Sequence, residues 1–322
     1  MKGMVPIVAN MSLSEHHHTD HRPEHHDDHR RDHLFDEAKW SAIAEATEEQ
    51  GEVLSSFVAT AIDWVSEIRG ADTPDVEHII DVGCGPGIAA TAFAKAFPTA
   101  IVTAADSSPG MLARATARAQ RLGVSDRVRT IEAQMPDGIA ALGPADVVWA
   151  SMALHHVGDE VAALRQMRSA LRPGGLVVIA EFPPGEGLMS IASPSIEAEA
   201  PGLWPRLRTA SNEWFTLMRA SLPQSTTSRP LEEMVNEAGL ELVGSRVDRM
   251  HLDAPLSDAA RRVATNLAIG LARRQLATFL APDDLAHLDA LSDTNDPRCV
   301  RNRDDVSLDA AQLILIARRA TP

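Results

Sequence analysis

Leu54, Phe57, Val58, Ala61, Ile62, Val65 and Ile68 recur at three-to-four-residue spacing, which predicts an amphipathic helix that Gly70 and the stretch through Pro74 terminate. A shorter helix carrying Trp40 and Ile43 is expected ahead of it. From His78 the rhythm changes. Short apolar runs at His78–Val82, Ala100–Ala105, Arg127–Ala133, Asp146–Ala150 and Leu176–Ala180 read as five strands. Helices are predicted at Ile88–Phe97, at Ser108–Leu122 with Gly123 as its stop, and through Leu164 and Met167 to Leu171, before a turn at Arg172–Gly175. Strands alternating with helices over this length predict parallel βαβ units in an open α/β sheet.

The alternation breaks from Pro183 to Thr227, a proline-containing stretch with Trp204, Trp214 and Phe215 that reads as an insertion with short helices. Leu231–Leu240 resumes as a helix and Glu241–Val247 as a strand. A helical excursion with Val263, Leu267 and Leu271 on one face then leads to a last strand at Ala310–Ala317. The first 33 residues hold eight of the 13 histidines among Asp, Glu and Arg, with almost no apolar residue after Leu13. Such a segment buries too little surface to offset its ordering entropy, and its spacing defines no metal geometry. The predicted organisation is a disordered arm over 1–34, a helical lid over 35–76, a ligand-binding half-domain over 77–182, an insertion or cap over 183–228, and the rest of the sheet over 229–322.

The chain has 322 residues, 44% of them apolar and 23% charged, enough for a large core. Its formal charge of −15 argues against a nucleic-acid binder, whose affinity comes from clustered Lys and Arg. No run approaches the roughly 20 apolar residues of a membrane span. The polar, histidine-rich start gives no signal-peptide pattern, and Cys84 and Cys299 cannot build a disulfide framework, so a cytoplasmic protein is expected. With no tyrosine in the chain, any mechanism using a phenol is excluded.

The first strand runs straight into Gly83-Cys84-Gly85-Pro86-Gly87 and opens into a helix. Glycines there let the backbone approach a ligand closely, and the helix N-terminus presents unpaired N–H groups. A dinucleotide loop would carry its third glycine where this chain has Ile88. Asp81, two residues before the first glycine, is poorly placed beside a pyrophosphate and suits a ligand with ammonium or sulfonium charge. Asp106 ends the second strand, where an acid accepts hydrogen bonds from ribose hydroxyls. Together these residues describe a nucleoside with a cationic amino-acid tail and no phosphates.

In these blocks the sequence resembles the class I S-adenosylmethionine-dependent methyltransferases, over about His78 to Phe182. Ile80–Gly87 is similar to their methionine-binding loop, and Asp106-Ser107-Ser108-Pro109-Gly110-Met111-Leu112 to their ribose-binding strand end. Ala145–Val148 with Met152–Val157, and Leu171–Leu176, match the blocks around the fourth and fifth strands. The resemblance implies a seven-stranded Rossmann-like sheet, mostly parallel with an antiparallel last strand, a helical N-terminal lid and helical insertions. It implies that S-adenosylmethionine, or its product S-adenosylhomocysteine, is held by Asp81, Gly83, Gly85, Gly87, Asp106, Ser107, Met111, Glu132, Ala133 and Ser151. Glu132 and Ala133 would take the adenine, with Glu where the family more often has Asp. The missing Asn/Asp-Pro-Pro-aromatic signature at Ser151–Leu154 turns the expectation from nucleic acid or protein toward a small-molecule acceptor, in a protein with no membrane partner that could form a homodimer.

Methyl transfer needs alignment above all, and a base only where the acceptor is a hydroxyl or an acidic carbon. His155 and His156, after the fourth strand, are the candidate bases, with His155 ahead and packing or capping as the alternative role. Met152, Trp204, Trp214 and Phe215 are the expected acceptor pocket, unless the aromatics only pack the insertion onto the sheet; Phe35 and Trp40 could close it from the other side. Glu181 is expected to be a surface or supporting residue, and His251 and His287 structural. Cys84 reads as packed beneath the loop and Cys299 as exposed or half-buried; no metal site is predicted. Two other readings stay open: a cofactor-binding regulator without turnover, and a nicotinamide-dependent oxidoreductase, against which Ile88 and Asp81 both count.

Overall fold

The computed structural model of the chain describes residues 44–70, 75–222 and 229–321. The histidine-rich arm, Phe35, Trp40 and Ile43 lie outside the described residues. Two helices come first, α1 (44–53) and α2 (Ser55–Arg69). The alternating region follows as β1 (His78–Val82), α3 (Ile88–Ala96), β2 (Ile101–Asp106), α4 (Pro109–Arg121), β3 (Val128–Glu132), β4 (Ala145–Ser151), α5 (Glu160–Ala170) and β5 (Leu171–Glu181). The insertion supplies β6 (Met189–Ala192), α6 (Pro194–Glu199) and α7 (Leu203–Ala220). Then come α8 (Leu231–Glu237), β7 (Glu241–Leu252), α9 (Asp258–Val263), a π-helical segment Ala264–Ile269, α10 (Gly270–Gln275), α11 (Pro282–Ser292) and β8 (Ser307–Arg318).

The sheet order is β3-β2-β1-β4-β5-β8. The first five strands are parallel, and β8 runs antiparallel between β5 and β7. This is the predicted Rossmann-like sheet with one strand more than the seven expected. The extra strand, β6, pairs with Leu308 and its neighbours in β8, beyond the part of β8 (Leu313–Arg318) that β5 uses. The expected turn at Arg172–Gly175 is instead a bulge inside β5. Leu171 pairs with Ala145, and the register resumes at Val147 opposite Leu176. Asp146 occupies that irregularity, accepting from Glu77 N, His78 N and both-oxygen contacts of Arg172 Nη1 at 2.8–3.0 Å.

Strands of a parallel sheet are covered on both faces, so they read as unbroken apolar runs; Ala145–Ala150 of β4 is buried throughout. Local chemistry sets the helix starts. Ser108 caps α4 by accepting from Met111 N, with Pro109 at the first helical position, and Asp159 caps α5 through Ala162 N. One apolar cluster fills each face of the sheet. A third joins Leu54 and Phe57 to Ile191, Ile196, Leu203 and Leu207 of the insertion and to Ala260, Ile269 and Leu288 of the excursion. The N-terminal helices, the insertion and the excursion therefore share one core above the sheet.

Candidate active site

The carboxyl ends of β1, β2, β4 and β5 open into a cavity of about 2420 Å³ roofed by α1, α7 and α10, where open α/β sheets bind ligands. On the β1 side, Gly83 N and Cys84 N donate to Ala105 O at 2.8 and 3.0 Å, which pins the glycine loop to the end of β2. Asp106 finishes the job: its carboxylate accepts from Gly85 N and from Ser108 N, each at 2.9 Å. Gly87 has φ +81°, and a Cβ there would lie 2.8 Å from the Cβ of Ala115, so both backbone shape and space require glycine. α1 is fixed over the loop by buried Glu48, which meets Arg114, Arg118 and Arg121 of α4, while Arg118 Nε donates to Thr91 at 3.1 Å.

Asp81 is the electrostatic feature of this end. It is 2% exposed and its Oδ2 has no hydrogen-bond partner, although the carboxylate accepts from the Ala90 N–H. Burial, aided by the charge of Asp106, pushes its carboxyl up to about 7. Cys84, buried beneath the loop, has its thiol pushed well above the ordinary range by burial and by the same two carboxylates, so it has no nucleophilic character.

On the β4–β5 side, Met152 leaves the sheet with φ +52°, a left-handed conformation rare for a non-glycine residue. A short 3-10 turn, Leu154–His156, follows. Glu181, ending β5, accepts from Leu154 N at 2.9 Å and lies 2.7 Å from His155 Nδ1. Burial would raise this carboxyl, but the charge and hydrogen bonds of His155 hold it below the usual glutamate range. His155 stands among Phe182 and Phe215, with ring centroids 5.0 and 5.8 Å away, and His156 at 4.1 Å. His156 is pulled down to about 3 by burial first and then by the neighbouring His155. Arg219 of α7 clasps the turn, donating to His155 O and Val157 O at 2.8 and 2.9 Å and pairing with Glu160.

A family model described as a methyltransferase domain matches residues 79–175, the stretch that builds the glycine loop, Asp106 and the His155 turn. Residues 79–175 are thus similar to a methyltransferase domain. Trans-aconitate 2-methyltransferase of Variovorax paradoxus is 34% identical over 42% of this chain and 52% of its own length. The 27-O-demethylrifamycin SV methyltransferase of Amycolatopsis mediterranei is also 34% identical, over 38% of this chain and 43% of its own. This chain thus spans about half the length of these curated relatives. Among solved structures, geranyl diphosphate C-methyltransferase from Streptomyces coelicolor A3(2) aligns over 85% of this chain and 82% of its own, at 13% identity and TM-score 0.48.

Around the cavity the structure brings together Asp81, Gly83, Gly85, Asp106, Met111 and Ser151 with His155, His156, Met152, Trp204, Trp214 and Phe215. Gly87 and Ser107 are not part of its lining. Glu132 is exposed at the end of β3, Ala133 N donates to Asp106 O at 3.0 Å, and the cavity lining includes neither residue. Cys299, expected to be exposed or half-buried, is completely buried, because its segment closes over the third core through Val300. Glu181 is a buried partner of His155 rather than a surface group. Sequence reasoning missed Gln312, whose Nε2 donates to Ser151 at 3.3 Å. A lone amide inside an otherwise apolar strand was the signal for it. Arg219 carried no such signal. Among the described residues no group of three or more His, Cys, Asp or Glu can hold a metal ion, and no helix is long and apolar enough to cross a membrane.

Proposed function

We propose that the protein moves a methyl group from S-adenosylmethionine to a small acceptor held under α7 and α10, with His155 as the base. The observation that carries the cofactor reading is Asp81 Oδ2, a buried carboxylate oxygen without a partner in the cavity wall beside the glycine loop. An ammonium group placed there supplies both the missing hydrogen bond and the countercharge. Gly83 and Gly85, both with positive φ, let the backbone approach the same ligand, and Asp106 with Met111 forms the adjoining wall. When bound, S-adenosylmethionine supplies a methyl group on a positively charged sulfur that is already a good leaving group.

The chain's own work is then alignment and proton removal. Alignment in a walled site is worth about 7–11 kcal/mol of barrier. The α1–α2 helices and the 183–222 insertion, which share a core, act as the cover that excludes water from the acceptor. Glu181 is kept ionised and can only accept, so it places the proton of a neutral His155 on Nδ1 and leaves Nε2 as the basic nitrogen. His156, with its affinity for protons suppressed, is an apolar neighbour rather than a second base. Phe182 and Phe215 pack edge-to-face with centroids 5.5 Å apart, and an acceptor hydroxyl or acidic carbon lying against this pair on the cavity side gives up its proton to Nε2 as the new bond forms. Calorimetric titration with S-adenosylhomocysteine tests the reading. Binding by the wild type that disappears in Asp81→Asn supports it, and absence of binding by folded wild type, or binding of NADH instead, overturns it.

A further inference from the structure

Five arginines line the cavity, and three of them are neutralised. Arg219 pairs with Glu160, Arg229 with Glu237 at 2.8 Å, and Arg273 with Asp289 at 2.6 Å. Arg208 of α7 and Arg274 of α10 make no hydrogen bond or ion pair among the described residues. The acids of the lining cannot serve them. Glu181 holds His155, Glu232 accepts from Ser245, and both oxygens of Glu186 are bonded by Arg249 at 2.7 Å. Asp81 and Asp106 belong to the glycine-loop end.

Arg274 is the more isolated of the two. Both side chains are exposed in the cavity; Arg208 stands within electrostatic range of Glu186, whereas no carboxylate acts on Arg274, whose guanidinium is lowered only by partial desolvation. Arg274 lies in α10, the helix that follows directly on the π-helical segment, whose Thr265 and Asn266 also line the cavity; such widened turns recur at functional sites. Trp204, Trp214 and Phe279 supply apolar wall nearby in the same cavity. In a chain of net charge −15, two guanidinium groups without a protein partner thus face the same cavity from α7 and α10, two helices that pack against each other.

We infer that this pair is an anion subsite, and that the methyl acceptor is an organic acid with an apolar or aromatic body whose anionic group is bound by Arg274, with Arg208 assisting. A planar guanidinium matches a carboxylate or sulfonate in a forked pair of charge-assisted hydrogen bonds. The inference rests on the cavity being the acceptor site, and it can fail while that reading stands. The probe is the anionic fluorophore 8-anilinonaphthalene-1-sulfonate, titrated in the presence of S-adenosylhomocysteine. Neutral N-phenyl-1-naphthylamine is the control, and circular dichroism verifies that each variant is folded. Arg274→Gln is expected to weaken the sulfonate about 10-fold or more, with Arg274→Lys intermediate, while the neutral probe changes less than about twofold. Failure of wild type to bind the sulfonate, equal affinity in Arg274→Gln, or equal losses for both probes overturns the subsite. S-adenosylhomocysteine titration of the same proteins reports separately on the cofactor reading, since Arg274→Gln leaves the Asp81 end untouched.

Discussion

Glu181 Oε2 lies 2.7 Å from His155 Nδ1, and the other oxygen of the same carboxylate accepts from Leu154 N. One buried acid therefore fixes both the ring and the backbone turn that carries it. Nitrogen-15 spectra of histidine-labelled protein at alkaline pH are expected to show the His155 proton on Nδ1. A proton on Nε2 would defeat the assignment of that nitrogen as the base. His155→Ala is expected to lower single-turnover methyl transfer to a hydroxyl acceptor by about 10²–10⁴-fold without changing S-adenosylhomocysteine affinity.

Asp81 carries a cost that its ligand removes. With its carboxyl raised to about 7 by burial, the stability it lends is complete below the ordinary aspartate range and is lost as pH rises through 7. Asp81→Asn is therefore expected to melt higher than ligand-free wild type at pH 8, with the gap closing toward pH 4, while losing the cationic ligand. Calorimetry in two buffers of different ionisation enthalpy should also show proton release on binding near pH 7. A variant that melts lower than wild type at pH 8 contradicts the account.

His156 gives the opposite signature. Its proton affinity is depressed from the ordinary histidine value to about 3, so stability is intact above about 6.5 and drains away as pH falls toward 3. His156→Gln is expected to flatten the stability–pH curve in that window by up to about 1.4 kcal/mol per pH unit. Urea unfolding at pH 5 and pH 8 measures it, and identical slopes for variant and wild type would refute the buried neutral imidazole.

Gly87→Ala combines a left-handed backbone with a Cβ 2.8 Å from that of Ala115. The expected loss is about 1–3 kcal/mol of stability, together with weakened ligand binding. Adding Ala115→Gly relieves the contact but not the backbone strain, so thermal melts should recover only part of the loss. Full recovery would mean that φ is unimportant there.

The parallel half of the sheet and its glycine loop were legible because each strand is a contiguous apolar run with its punctuation beside it. Legibility ended where contacts join distant residues. Glu181 and His155 are 26 positions apart, and Arg219 meets Glu160 from 59 positions away, with no local pattern marking either pair. Strand β6 was missed because only Ile191 of its four residues is buried, too little to register as an alternation. The exposure of Glu132 was not legible either, because its position at a strand end says nothing of what covers the edge strand β3 there.

Strand β6 ties the cap to the sheet. Through Met189–Ala192 the insertion is hydrogen-bonded to Ser307–Ala310, and Gln312, two residues further along the same strand, touches Ser151 at the cavity floor. Roof and floor are thus stitched to one length of backbone. Swinging the whole insertion aside would mean tearing a sheet, so entry and exit of the acceptor fall to side chains and to the junctions between helices. The protein is built less like a box with a hinged top than like a sleeve, through which a molecule of the right girth is threaded.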